Sequence, residues 1–297
     1  MALSTSSAAS IRHKGRTKPA TNAQETVDTL IYERGQNVMH QPWWPLLRPL
    51  AFKVLRYREA VDMAGAIEAL GAQEVFEYLS ALLQLNLTVR GLENVPETGP
   101  VVLVCNHPTG IADGIALFDA IKARRKDLSI FANRDAIRIN PRLSDMIVPV
   151  EWRDEFKSRQ KTRETLSLTA RAFTEERVVV LFPSGRLAYW NEGKLTERPW
   201  MTSAIALARK NGAPIIPMHM GGRNSGLFYF LSRLSTDLRD MTVFNELLNK
   251  KQAKFLVHFG RPIEATDLQG NINTLADSLR VHCAETLGND ANAVYRP

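Results

Sequence analysis

The sequence predicts an α/β fold, a largely parallel sheet flanked by helices and preceded by an N-terminal helical segment. Two patterns and the composition point to it. Short apolar, β-branched runs recur from residue 85 onward, and stretches of helical length separate them, which is the spacing of parallel strands covered on both faces. With 44% apolar and 23% charged residues, the chain has the make-up of a globular protein able to bury a full core.

The elements follow in order. Residues 1–25 read as a disordered basic tail, rich in Ser, Thr and Ala, with Arg12, Lys14, Arg16 and Lys18 ahead of the first acid, Glu25. Composition alone also fits a mitochondrial transit peptide, although no clear amphipathic helix is visible. Residues 26–84 read as a helical segment. Within it, Trp43, Trp44, Leu46, Leu47, Leu50 and Phe52 are interleaved with Arg48, Lys53, Arg56 and Arg58. Such a stretch can lie in the headgroup layer of a membrane, or it can be a helix packed on the protein's own core, with Pro42, Pro45 and Pro49 interrupting its start. A further helix is expected over Val61 to Gln84.

Residues 85–297 read as the α/β domain. Strands are expected at Leu85 to Val89, Val101 to Cys105, Leu128 to Ala132, Ile147 to Val150, Val178 to Phe182, Pro214 to Met218 and Phe255 to Phe259. Helices are expected at Gly114 to Arg125, Lys157 to Glu176, Trp200 to Asn211 and Thr274 to Leu287.

Several function classes lose support here. The formal charge of +7 is concentrated in the tail, and no dense Lys/Arg stripe with aromatic interleaving follows, so nucleic acid is not an expected partner. The two cysteines, Cys105 and Cys283, have no CxxC spacing and suggest neither a disulfide framework nor zinc, which fits a reducing cytoplasm. No apolar run approaches the roughly 20 residues that cross a bilayer. The expected location is therefore cytoplasmic, peripheral on the inner face of the membrane.

The chemistry gathers at Asn106-His107-Pro108-Thr109-Gly110-Ile111-Ala112-Asp113, directly after an apolar strand. Ligands of open α/β sheets bind beyond the carboxyl ends of strands. There, His107 is placed to take a proton from a hydroxyl, with Asp113 holding its tautomer and stabilising the imidazolium. No serine nucleophile stands nearby, so the hydroxyl would belong to the substrate and the reaction would be direct transfer to a bound alcohol. The alternative is plain: Asp113 caps a helix and His107 is a satisfied loop residue.

Other segments shift that balance. Asn106-His107 through Asp113, Phe131-Ala132-Asn133-Arg134, Phe182-Pro183-Ser184-Gly185-Arg186 and Ala213-Pro214-Ile215-Ile216-Pro217 resemble, in order and spacing, the blocks of the glycerolipid (lysophosphatidic acid type) acyltransferase family. The resemblance implies that His107 is the base and Asp113 its partner. It implies an acyl thioester donor, on coenzyme A or acyl carrier protein, a lysolipid acceptor at a membrane lipid surface, and no cofactor. It assigns acceptor binding to Asn106, Arg134, Ser184, Gly185 and Arg186. Two departures narrow it. Five residues rather than the usual four separate His107 from Asp113, Gly110 being the plausible insertion, as in a hemolysin-like and ornithine-lipid branch. Ser184 stands where the third block usually has glutamate, which puts a lysophosphatidic acid acceptor in question.

Other readings remain. A lipid hydrolase would use Ser184 or Cys105, but the Gly-x-Ser-x-Gly elbow is missing. A non-catalytic lipid-binding protein would keep the fold without the reaction. A metal site from His107, Asp113, His219 and His258 lacks ligand spacing, so no metal is expected. Gly221 to Gly226 reads as a flexible turn, or as a phosphate cradle without the Lys-Ser/Thr of a P-loop.

Overall fold

The computed structural model describes residues 22–151, 153 and 156–296. The basic tail lies outside the described residues as far as residue 21. Four helices come first: α1 (Asn22–Met39), α2 (Trp44–Val54), α3 (Tyr57–Ile67) and α4 (Ala72–Leu83). The single helix expected over Val61 to Gln84 is thus two. Gly71 breaks it in an extended conformation, and its N–H donates to the Glu74 carboxylate at 2.7 Å, a side-chain cap for α4. Asn140 closes the end of α3 by donating to the carbonyls of Ile67 and Leu70 at 2.7 and 2.8 Å.

The α/β domain then runs β1 (Asn86–Arg90), β2 (Val101–Cys105), α5 (Ile111–Ile121), β3 (Leu128–Asn133), α6 (Asp135–Ile139), β4 (Ile147–Val150), α7 (Arg159–Thr174) and β5 (Val178–Leu181). It continues through a hairpin of β6 (Tyr189–Asn191) and β7 (Lys194–Thr196), then α8 (Ser203–Asn211), β8 (Ile215–Gly221), α9 (Gly226–Leu234), α10 (Thr236–Asp240), α11 (Val243–Leu248), β9 (Lys254–Phe259) and α12 (Ile272–Val281). Seven strands form one sheet in the order β1-β9-β8-β2-β5-β3-β4. All neighbours are parallel except β8 and β9. The expected largely parallel sheet is therefore present, with β1 and β9 running against the other five.

Strand β2 is central and buried along its whole length, which is why it reads as an unbroken apolar run. The two-residue period splits it between two cores. Val101, Leu103 and Cys105 belong to the core that holds Leu30, Phe76 and Phe118, while Val102 and Val104 belong to the one that holds Ile205, Leu275 and Cys283. Burying each of these valines stabilises the fold by up to about 1.5–3 kcal/mol. Covered on both sides, the strand gives His107 a rigid base.

The two readings of the Trp43 region divide residue by residue. Trp44 is buried, its ring edge-on to Phe52 at 6.4 Å, as a core-packed helix requires. Leu46 and Leu50, by contrast, are 82% and 62% exposed. Helix α1 is tied to α6 by ion pairs: Arg34 meets Asp135 at 2.6 Å and Glu33 meets Arg138 at 2.6 Å. Among the described residues no helix is long and apolar enough to cross a membrane.

Candidate active site

The site begins where β2 ends. The Asn106 amide is turned to β8, accepting the Met220 N–H at 2.7 Å and donating to the Met220 carbonyl at 2.9 Å. Both ends of the buried amide are occupied, so Asn106 clamps two strand ends together. The next residue is held from several directions. The His107 N–H donates to Glu197 Oε1 at 2.9 Å, its carbonyl accepts the Ala188 N–H at 2.9 Å, and its ring stacks on Phe182 at 4.3 Å.

Asp113 lies wholly buried in the first turn of α5 and receives four donors. Oδ2 takes His107 Nδ1 at 2.9 Å, the Thr109 N–H at 2.8 Å and the Gly110 N–H at 3.0 Å; Oδ1 takes the Thr109 hydroxyl at 2.5 Å. The helix-cap reading and the imidazole-partner reading thus hold together in one carboxylate. With Nδ1 facing it, the Nδ1–H tautomer is the one the carboxylate supports, which leaves Nε2 able to accept a proton. Gly110 makes the five-residue spacing workable. Its φ of 95° and ψ of −126° lie in a region essentially restricted to glycine, and the chain turns there to bring Asp113 back to the imidazole.

The third block packs directly beneath. After Phe182, the Gly185 N–H returns to the Phe182 carbonyl at 2.9 Å with φ of 62° at Gly185, and Ser184 Oγ donates to the Arg186 carbonyl at 2.7 Å. Glu197 was not legible in advance. It is buried, accepts from the His107 N–H and from Trp200 Nε1 at 3.0 Å, and has the Ser184 hydroxyl within reach. Burial pushes its carboxyl up from the ordinary value, opposed by the His107 N–H. A carboxylate missing from position 184 in sequence is therefore present beside it in space.

Arg134 stands apart, on the end of β3 with β5 between it and β2. One guanidinium nitrogen pairs with Glu164 at 2.7 Å, and the others, Nε and Nη2, are buried without a partner among the described residues. The hydrolase reading finds no nucleophile: the Ser184 hydroxyl bonds to a carbonyl rather than to the imidazole, and Cys105 is buried, which pushes its thiol well up. His219 and His258 each donate from Nδ1 to a carbonyl, those of Cys283 and Leu287, at 2.8 Å, anchoring the helical turns that follow α12. Among the described residues no cluster of three metal-binding side chains occurs.

Comparison with known proteins bears on this geometry. Residues 86–221 match the family model Acyltransferase. That span is an acyltransferase domain. The matched span takes in the whole His107 and Asp113 loop, the Phe182 turn and Glu197, and it ends with β8. Two curated relatives of this acyltransferase are lyso-glycine lipid O-acyltransferases. That of Phocaeicola vulgatus is 22% identical over 196 residues, covering 64% of this chain and 68% of its own. That of Bacteroides thetaiotaomicron is 25% identical over 197 residues, covering 64% and 70%. A crystal structure of the 1-acyl-sn-glycerophosphate (LPA) acyltransferase, PlsC, from Thermotoga maritima aligns over 90% of this chain and 95% of that one, with 13% identity and a TM-score of 0.47.

Proposed function

We propose that this acyltransferase moves a fatty acyl group from an acyl thioester, carried by coenzyme A or acyl carrier protein, to the hydroxyl of a lysolipid at a membrane surface. The observation that carries this is the His107 Nδ1 to Asp113 Oδ2 contact at 2.9 Å, which directs Nε2 to a substrate, and among the described residues no serine, threonine or cysteine side chain is bonded to that nitrogen. In the step that follows, Nε2 takes the acceptor's hydroxyl proton as its oxygen attacks the thioester carbonyl. The tetrahedral intermediate collapses, the C–S bond breaks, and the thiolate leaves with the proton from the imidazolium. Backbone N–H groups at the start of α5 are the candidate oxyanion donors.

The relatives' names favour a lyso-aminolipid acceptor over lysophosphatidic acid, and Ser184 in place of the third-block glutamate agrees with that choice. The Gly185-Arg186 turn and, further out, Arg134 are the proposed contacts for the acceptor's headgroup. The exposed side of α2 is the proposed membrane contact. The test is purified protein with labelled acyl thioesters and a panel of lysolipids and lyso-aminolipids. His107→Ala is expected to lower transfer a hundredfold or more while leaving the fold intact; equal turnover in both proteins would remove His107 from the mechanism.

A further inference from the structure

Beyond β8, the loop from Gly221 to Ser225 borders two hollows of about 450 and 530 Å³ that share Trp190 and Arg223 as walls. Their linings contain four cations, Arg223, Arg233, Lys250 and Lys254, and no carboxylate. Lys250 is balanced by Glu246 at 3.0 Å, whereas among the described residues no ion pair engages Arg223, Arg233 or Lys254. Aromatic faces complete the walls: Trp190 and Tyr229 stand 5.8 Å apart, with Phe255 in one hollow and Phe230 in the other. A concave surface with uncompensated positive charge concentrates anions, and guanidinium and ammonium groups suit phosphate oxygens.

The cleft adjoins the catalytic loop. The Gly222 backbone lies so close that a Cβ there would come within 3.2 Å of the Thr109 methyl group and 3.0 Å of the Phe255 ring. The Asn224 amide rests against the backbone of Pro108 and Thr109. In the sheet order the cleft flanks His107 from the β8 and β9 side, while the Phe182 turn flanks it from the β5 side. Two substrates must meet at one imidazole, and the β5 side is already proposed for the acceptor.

We propose that this cleft binds the phosphate-bearing end of the acyl donor, the phosphopantetheine phosphate common to acyl-CoA and acyl carrier protein. The pantetheine arm then extends from the cleft toward His107. This rests on the thioester reading above.

The test compares wild type with an Arg223→Ala/Lys254→Ala variant, using acyl-CoA, acyl-pantetheine without phosphate, and acyl carrier protein thioester. The wild type is expected to prefer acyl-CoA or the carrier-protein thioester over acyl-pantetheine by at least tenfold in kcat/KM, and the variant to retain less than about a twofold preference. Which phosphorylated donor shows the loss identifies the carrier. Calorimetric titration with CoA alone needs no turnover and is expected to show binding weakened tenfold or more in the variant. An unchanged donor preference, or a defect confined to the acceptor's KM, overturns the donor assignment and leaves acyl transfer standing. A wild type that transfers from no thioester fails the catalytic reading; if it also fails to bind CoA, the cleft assignment falls with it.

Discussion

Oδ2 of Asp113 lies 2.9 Å from His107 Nδ1 and at the same time takes the N–H groups of Thr109 and Gly110. One oxygen therefore orients the imidazole and closes the start of α5. The two duties separate in Asp113→Asn. Its amide oxygen can keep all three donors at the Oδ2 position, and its nitrogen can donate to Thr109 Oγ, which accepts as well as it donates. The fold is expected to lose little, while kcat falls on the order of a thousandfold because a neutral amide does not stabilise the imidazolium. Asp113→Ala, which removes the cap and strands buried donors, is expected to lose about 1–3 kcal/mol of stability as well. Unfolding curves beside steady-state rates distinguish these outcomes, and equal stability losses in the two variants would refute the division of roles.

Gly110 is the extra residue of the five-residue spacing. At φ of 95° an alanine is strained whatever space surrounds it, and its Cβ would also come within 3.3 Å of Leu187. Gly110→Ala is expected to cost about 1–3 kcal/mol in urea unfolding and to lower kcat by disturbing the return of Asp113 to the imidazole. Unaltered stability would show that the turn does not need glycine.

The strands around this site were legible because their physics is local. A buried parallel strand must be apolar on both faces, and Val101 to Cys105 and Val178 to Leu181 have no other reading. The hairpin at Tyr189 to Thr196 has only a Glu-Gly pair as its sign in the sequence; in the structure Glu192 and Gly193 both take positive φ, the two-residue turn that glycine favours. Helices α9 to α11 are not expected from the sequence either, where Gly221 to Gly226 reads as a flexible turn. Glu197 is a different case. Its partner His107 is 90 residues away in the chain, and a lone acid after a hairpin carries no local sign that it will be buried.

That burial gives Glu197 a pH signature. Its carboxyl is raised above its ordinary 4.5 by desolvation. In the window between 4.5 and the higher folded value, the native state holds a proton that the unfolded chain has released, so stability falls as pH rises through it and stays lower above. Glu197→Gln removes that contribution. The difference in unfolding free energy between wild type and variant is expected to slope across this window and flatten at higher pH; a pH-independent difference would contradict the assignment. The glutamine also turns an N–H toward either His107 N–H or Trp200, so a fall in kcat larger than any change in KM is expected.

Glu33 has the opposite sign. The Arg138 hydrogen bond, with Arg153 assisting, holds its carboxyl below the ordinary 4.5 despite partial burial. Its contribution is therefore present above pH 4.5 and is lost as pH falls through the lower folded value. The pairs are partly exposed, so Glu33→Gln is expected to cost only about 0.5–1 kcal/mol near neutrality, and nothing once acid has protonated the wild-type carboxyl. Unfolding measured from pH 3 to 7 tests this, a constant offset being the contrary result. Because Glu33 anchors α1 to α6, limited proteolysis of the N-terminal helix is expected to follow the same profile.

The membrane reading of α2 rests on side chains that share a stripe. Trp43, Leu46 and Leu50 follow one another at three- and four-residue spacing and are 45%, 82% and 62% exposed. Lys53 closes the same helix, and Arg48 packs over Phe52 at 5.0 Å, so cations border the apolar face. Apolar side chains entering the headgroup boundary, with basic neighbours attracted to anionic lipid, are the physical basis of interfacial binding. Replacing Trp43, Leu46 and Leu50 together by serine is expected to move the protein from anionic liposomes to the soluble fraction, with its melting temperature little changed. Trp44→Ser is the contrasting variant: buried against Phe52, it is expected to lower the melting temperature rather than to act on the lipid contact directly. If the triple variant partitions like wild type, the exposed face of α2 does not bind membranes, and the lysolipid must reach His107 by another route.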